Sequence, residues 1–456
     1  MNDLLFRSLR AVVSSGQGEL LGEGSWVACQ GSQIAAIGIG GEEPEAKRVV
    51  DLPGHILFPG MVNTHHHLYQ SLFRCVPEVQ KAPLFDWLVH LYTRWRCLTE
   101  EAVDVSTRVG CGELLLSGCT TTSDHLYLFP AGTERLIDRE IEAAAAVGIR
   151  FHPTRGSMTR GARQGGLPPD DVVQSAEAIL EDSVRLAETY HDPSRFSMTR
   201  LGLAPCSPFS VEEEIMVRTA EMARERGLRL HTHLCETEDE ERYCLETYGC
   251  RPIELAERVG WLGEDVWFAH AVHLNEEELE RLAETGTGVA HCPSSNCRLG
   301  SGRAPFRAMR RLGVPMGLGV DGSSSNDGGN LLAEARMAMI VHRPLEVPCE
   351  DWPSASEVLE VATEGGARVL GRDDLGRVEV GLAADLVAID THRLAFAGAC
   401  VHDPLAALLY CSPNRPADWV VVNGKVVVER GKLVTLDEAE VTRRADQIAQ
   451  EMSQRM

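Results

Sequence analysis

Apolar and polar positions along this chain follow two textures. Across residues 59–371, short apolar, β-branched runs alternate with longer stretches whose apolar residues return every three or four positions. The short runs are "GMVNTHH", "CTTTSDH" (119–125), "IRFHPT" (149–154), "RLGLAPC" (200–206), "LRLHTH" (228–233), "VWFAH" (266–270), "GVAHC" (288–292) and "PMGLGVD" (315–321). Between them lie helical patterns such as "ERLIDREIEAAAAVG", "VEEEIMVRTAEMARERG" and "NEEELERLAETG", several ending in the glycine that commonly stops a helix. A strand followed by a helix, eight times over, predicts an α/β fold of the (β/α)8 barrel type, with its site where the strands run out into loops.

The flanks read differently. "GSWVACQGSQIAAIG" and "KRVVDLPGHILFPG" near the start, and "GLAADLVAID" and "ADWVVVNGKVVVERGKLV" near the end, alternate or carry β-branched runs bounded by Gly turns. This predicts one small β-sandwich domain built from both chain ends, residues 1–58 with 372–436, around a barrel over 59–371 and before a terminal helix over 437–456. Two separate β-appendages are the alternative.

Composition narrows the classes of function. Lys and Arg total 44 against 67 Asp and Glu, a net charge of −23, which repels phosphate backbones and anionic lipid. No nucleic acid or membrane partner is therefore expected. No apolar run approaches the roughly 20 residues of a membrane span, and the first residues lack a secretory apolar core. Fourteen cysteines without a CxxC pair read as reduced thiols of a cytoplasmic protein.

Polar residues cluster at the C-terminal ends of the strand-like runs. In "NTHHHLYQ" side-chain alternation puts His65 and His67 on one face and His66 on the other. Strand five ends in His231-Thr232-His233 with Glu236 close behind, strand six ends at His270, and strand eight ends at Asp321. Barrel closure gathers these ends around one mouth. His65, His67, His233 and Asp321 make a donor set for one divalent cation per chain, Zn²⁺ ahead of Fe²⁺. His66, His231, His273 and His291 read as structural. Strand four offers no Lys or Glu to bridge a pair of metals, so one metal is expected rather than two. Glu236 can shuttle a proton, His270 can orient water and Asp321 can share its proton. A positioned base contributes about 10²–10⁴-fold. A metal lowers the pKa of water from about 15.7 to about 7, which corresponds to about 12 kcal/mol.

The segments "PGMVNTHHH", "LHTHLCET", "FAHAVHL", "AHCPSSNCRLGSG" and "GLGVDGSSSNDGGN" resemble the amidohydrolase superfamily in its mononuclear aminohydrolase branch, over nearly the whole chain. The resemblance implies the same four ligands, with Glu236 and His270 in proton transfer, and assembly as a homo-oligomer. "NTHHHLYQSLFR", "SGCTTTSDHLYLFP" and "FHPTRGSMTRGARQGGLPPD" are most similar to the 8-oxoguanine deaminases, with the s-triazine hydrolases close by. The implied reaction is hydrolytic deamination of an oxopurine to urate and ammonia. Triazine, pterin or guanine aminohydrolases, or a non-catalytic binding barrel, are the alternatives. Arg303 stands where that group carries an apolar residue, near Cys297 in the loop after strand seven.

For a small heterocyclic substrate, Gln70 carries a donor and an acceptor on one amide, and Arg155 after strand three suits a ring carbonyl. Trp87 and Tyr92 are lid candidates, although aromatics at helical spacing are more often core.

Overall fold

The computed structural model describes residues 1–16, 20–343, 347–412 and 415–454. Eight parallel strands close into a barrel: β1 (Met61–Asn63), β2 (Cys119–Leu126), β3 (Arg150–Ser157), β4 (Gly202–Pro205), β5 (Arg229–Leu234), β6 (Val266–His270), β7 (Gly288–His291) and β8 (Met316–Leu318). Each overlaps one of the eight strand-like runs. β8 returns to β1 at Leu318 and Asn63, where the Thr64 N–H donates to the Leu318 carbonyl over 2.8 Å. Helices fill the crossovers, and their ends follow local chemistry. Gly148, Gly227 and Gly286 take the left-handed conformation that closes the helices Leu136–Val147, Glu213–Arg226 and Glu276–Thr285. Asn275 and Glu278 cap the start of the last of these reciprocally.

Both chain ends contribute to the sheets beside the barrel. A four-stranded sheet is formed by Asn2–Leu9, Ser25–Gln30, Gln33–Ile39 and Ala46–Asp51. A seven-stranded sheet joins early strands to late ones: His55–Pro59 lies antiparallel to Leu386–Asp390, in register from Leu386↔Pro59 to Asp390↔His55. Leu4, Phe6 and Val27 of the first sheet pack with Leu57, Leu386 and Trp419 of the second, so the two sheets share one apolar core. The segment His55–Pro59 then feeds almost directly into β1, so the β-sheets anchor the start of the barrel. Among the described residues no helix is long and apolar enough to cross a membrane.

A buried ionic lock ties the bottom of the barrel to the sheets. Arg150, the first residue of β3, has a fully buried side chain whose Nε and Nη2 donate to Asp385 over 3.1 and 3.0 Å. Its Nη1 donates to the carbonyls of Phe196 and Ser197, and Asp385 also accepts the Asn423 N–H over 2.6 Å. Such a pair stabilises little relative to apolar packing, but breaking it strands a buried charge. Asp385→Ala is therefore expected to destabilise the fold by about 3–5 kcal/mol, read as a lower denaturant midpoint in chemical unfolding. An unchanged midpoint would contradict the lock.

Candidate active site

The strand ends carry strained backbone where chemistry is expected. His270 and Asp321 both adopt positive φ, 73° and 59°, a region that non-glycine residues rarely occupy. β1 itself stops at Asn63, so His65 and His67 lie just beyond the ladder rather than on it. Asn63 accounts for the exit: its side chain accepts the Val320 N–H over 2.9 Å and donates to Thr122 Oγ1 over 2.9 Å. The facing is as the sequence suggests. His66 turns away, buried, with Nδ1 accepting the His67 N–H over 2.7 Å.

Hydrogen bonds fix which nitrogen of each ring carries the proton. His67 Nδ1–H donates to the His125 carbonyl and His233 Nδ1–H to the Cys206 carbonyl, each over 2.7 Å. His231 Nδ1–H donates to the Trp267 carbonyl over 2.9 Å, so its Nε2 accepts from His65 Nδ1–H over 2.8 Å. All three of His65, His67 and His233 therefore present a bare Nε2 lone pair to one point. There His67 Nε2 and His233 Nε2 are 3.1 Å apart, and Asp321 Oδ1 lies 3.2 Å from His65 Nε2 and 3.4 Å from His67 Nε2. Lone pairs facing one another this closely repel unless a cation or proton lies among them. His65 Nε2 is buried and has no hydrogen-bond partner. Burial, foremost, holds all three imidazoles below their usual pKa, that of His233 at about 3, so they are neutral donors. Burial opposes the charge on Asp321, but contacts with His65, His270 and His67 overcome it and hold the carboxyl well below its usual range. This donor set fits a borderline divalent cation.

His125, at the end of β2, was not legible as a site residue. Its Nε2–H donates to the Ala204 carbonyl over 2.9 Å, its ring stacks on His233 at 4.8 Å, and its Nδ1 has no partner. Ligand atoms of His65, His125 and His233 lie within 4.8 Å of one another, as do those of His65, His270 and Asp321. The Asp321 contacts run to His65 and His67, which favours the latter over His125.

Beside this point sits a second pair. His270 Nδ1–H donates to Asn296 Oδ1 over 2.9 Å, turning Nε2 towards Glu236 Oε2 at 3.6 Å. Ser301 Oγ–H donates to the other Glu236 oxygen over 3.3 Å. Burial raises the Glu236 pKa; on His270 burial acts downwards, and the charges of Glu236 and Asp321 outweigh it. Both shifts act to retain protons on the pair. Glu240, hidden in the acidic run "ETEDEER", accepts the N–H groups of Cys235 and Glu236 over 2.8 and 2.9 Å and so shapes the turn that aims Glu236 inwards.

These groups open into a cleft of about 410 Å³. Its walls are largely apolar and aromatic, with Leu84, Trp87, Leu88, Phe209 and Leu299 among them. Gln70 lines it too, its Oε1 accepting the Ser324 N–H over 3.2 Å and its NH2 group only 3.5 Å from Tyr69 Oη. A side chain at Gly322 would overlap the Gln70 amide, so glycine is what seats it. Arg155 is not brought to the cleft. Its guanidinium is held by Asp182 at 2.9 Å and Gln174 at 2.7 Å and lies over the Phe129 ring at 4.1 Å. Tyr92 is core, its hydroxyl against Met158 Sδ. His273 Nε2–H donates to the Ser301 carbonyl over 2.8 Å, and His291 pairs with His342 at 3.0 Å. Cys297 and Arg303 are exposed and do not line the cleft. His231 is structural in a specific sense: it fixes the tautomer of His65. His231→Ala is expected to weaken cation binding about 10–100-fold, measured by competition with a chelator; unchanged affinity would remove that role.

Residues 56–427 match the amidohydrolase family. The chain belongs to that family, and it is a hydrolase. It is 48% identical over 387 residues to the 8-oxoguanine deaminase of Pseudomonas aeruginosa, covering 85% of each chain. It is 38% identical over 417 residues to the hydroxydechloroatrazine ethylaminohydrolase of Pseudomonas sp. (strain ADP), covering 91% of this chain and 86% of the relative. Among solved structures, the atrazine chlorohydrolase of Arthrobacter aurescens TC1, complexed with zinc, superposes with a TM-score of 0.93 at 35% identity, covering 98% of this chain and 100% of that one.

Proposed function

We propose that this chain is a metal-dependent aminohydrolase that removes the exocyclic amine of an oxopurine, converting 8-oxoguanine into urate and ammonia. The observation that carries the reading is the meeting of three imidazole lone pairs with Asp321, next to the Glu236–His270 pair, in a cleft with flat apolar walls. The 48% identity to an 8-oxoguanine deaminase supports the substrate, and zinc in solved relatives supports Zn²⁺ as the cation, one per chain. His65, His67, His233 and Asp321 are the residues that would hold it. Bound there, a divalent cation supplies Lewis acidity, lowering the pKa of water from about 15.7 to about 7.

The chain's own residues do the rest. Glu236 takes a proton from the attacking water as its oxygen bonds to the carbon bearing the amine. The same carboxyl hands that proton to nitrogen, and the amine leaves as ammonia when its C–N bond breaks. His270, held by Asn296, orients the water through Nε2 and stabilises developing negative charge, while Asp321 shares a proton in transit. Gln70 offers its NH2 group to a ring carbonyl, and Trp87 and Phe209 cover the ring faces. Fourteen free cysteines suit a reducing compartment such as the cytoplasm.

A second reading, a triazine or pterin aminohydrolase, is favoured by the TM-score of 0.94 to a triazine hydrolase. Amine release by metal-replete protein separates the two: ammonia from 8-oxoguanine, guanine and isoxanthopterin, ethylamine from hydroxyatrazine. We expect the highest kcat/KM on 8-oxoguanine. No turnover of it would remove the substrate and leave the chemistry; neither ammonia nor ethylamine from any of the four would remove the chemistry as well.

A further inference from the structure

The barrel's opposite end holds a second cavity, of about 550 Å³, whose lining is basic. Arg200, Arg229, His152 and His191 line it together with Trp267 and Gly371, and among the described residues no carboxylate does. This is unexpected in a chain of net charge −23, in which arginine after arginine meets a carboxylate. The two lining arginines do not. Arg200 donates only to Ser197 Oγ and to the carbonyls of Gly371, Pro193 and Ser194. Arg229 donates to the Glu264 carbonyl alone, and its Nε–H is buried with no partner. Most of the five N–H donors of Arg229 are thus unspent, whereas Arg200 has used most of its own.

The histidines add donors rather than acceptors. His191 Nδ1 accepts the Leu201 N–H over 3.1 Å, so its proton sits on Nε2. His152 Nε2 faces the Arg372 Nη1 donor at 3.3 Å, so its proton sits on Nδ1. Next to these, Arg372 is neutralised by Asp374 through contacts of 2.8 and 2.9 Å, which leaves the excess charge with Arg200 and Arg229. A side chain at Gly371, where φ is already positive, would come within 2.7 Å of Arg229 Nη1, so a glycine there keeps space around the guanidinium. Burial, foremost, lowers the Arg229 pKa to about 10, which an anion alongside would reverse.

We propose that this cavity at the floor of the barrel is a binding site for a phosphate-type oxyanion, held by Arg229 and Arg200 with His191 and His152 as hydrogen-bond donors. Planar guanidinium groups with no carboxylate in direct contact are suited to oxyanion oxygens, even with Asp265 and Glu264 near Arg229 and Asp373 and Asp374 near Arg200. The site also touches the catalytic end. The Trp267 ring lines the cavity and stacks on His231 at 4.4 Å, and its carbonyl accepts the His231 Nδ1–H. The cavity is thus separated from the histidine that fixes His65 by one indole ring.

The test is calorimetric titration of the metal-replete protein with inorganic phosphate, at constant ionic strength against potassium chloride. Saturable binding is expected in the unchanged chain. It should weaken at least about tenfold in Arg229→Gln, a loss equal to about 1.4 kcal/mol, while deaminase activity stays within twofold. Because Arg229→Gln can lose fold as well as charge, His191→Ala provides a milder second variant, with unfolding midpoints measured for both. A nucleoside 5′-monophosphate run in parallel distinguishes a free phosphate from a phosphate monoester as the source; binding of either that depends on Arg229 supports the site. No saturable binding beyond chloride, or phosphate binding that survives both substitutions or competes with substrate, overturns it.

Discussion

Glu236→Gln is expected to hold its cation as the unchanged chain does and to lose about 10²–10⁴-fold in kcat. The glutamine keeps the shape and can still accept from Ser301 Oγ, the contact now at 3.3 Å. It cannot carry a proton from water to nitrogen. Glu236 does not belong to the group of atoms that meet at Asp321 Oδ1, so cation content should not change. The paired measurement is elemental analysis and steady-state ammonia release on one preparation. Near-normal turnover would refute the shuttle, and lost metal would show that Glu236 is a ligand instead. Burial raises the Glu236 pKa above 4.5. The carboxylate form needed to accept a proton therefore fills at higher pH than for an exposed glutamate. The acid limb of kcat/KM should be displaced upwards in the unchanged chain and absent from the residual activity of the glutamine variant.

Asp321→Ala should abolish both metal retention and turnover. Asp321 Oδ1 is the only anionic atom within 3.4 Å of His65 Nε2 and His67 Nε2 among the described contacts. Without it the three lone pairs face one another with nothing to offset them, the Gly322 N–H loses its acceptor, and Ser325 Oγ keeps only the Gly322 carbonyl. Water then keeps its ordinary pKa of about 15.7 rather than about 7, a handicap of up to about 12 kcal/mol at 1.36 kcal/mol per unit. Stoichiometric metal in this variant, with measurable ammonia release, would sink the proposed ligand set.

Much of the architecture was legible because it rests on local periodicity. Eight short apolar runs between helical patterns could hardly close otherwise, and glycines such as Gly148 and Gly286 mark helix ends by conformation. The proposed ligands stood out because they are polar residues where apolar strands run out. What escaped were residues defined by their partners. Glu240 looks like one more acid in an acidic run, and only the fold reveals it beneath the turn at Cys235 and Glu236. His231 looks like a bystander until the Trp267 carbonyl, contributed by the neighbouring strand, fixes its tautomer. Arg155 looked available, yet strand parity carried a hint. It shares a face of β3 with Phe151, which packs in the apolar layer under the helices, where Asp182 waits for it.

The strand His55–Pro59 hands the chain to the histidine-bearing segment, and its sheet partner Leu386–Asp390 leaves the ribosome only after all eight barrel strands. Until then the nascent polypeptide carries an unpaired, apolar edge, the kind of surface that recruits other chains. A premature stop codon upstream of residue 386 would for that reason yield aggregate rather than a weakened enzyme, and this chain's dependence on chaperones should be greatest until residue 390 has emerged.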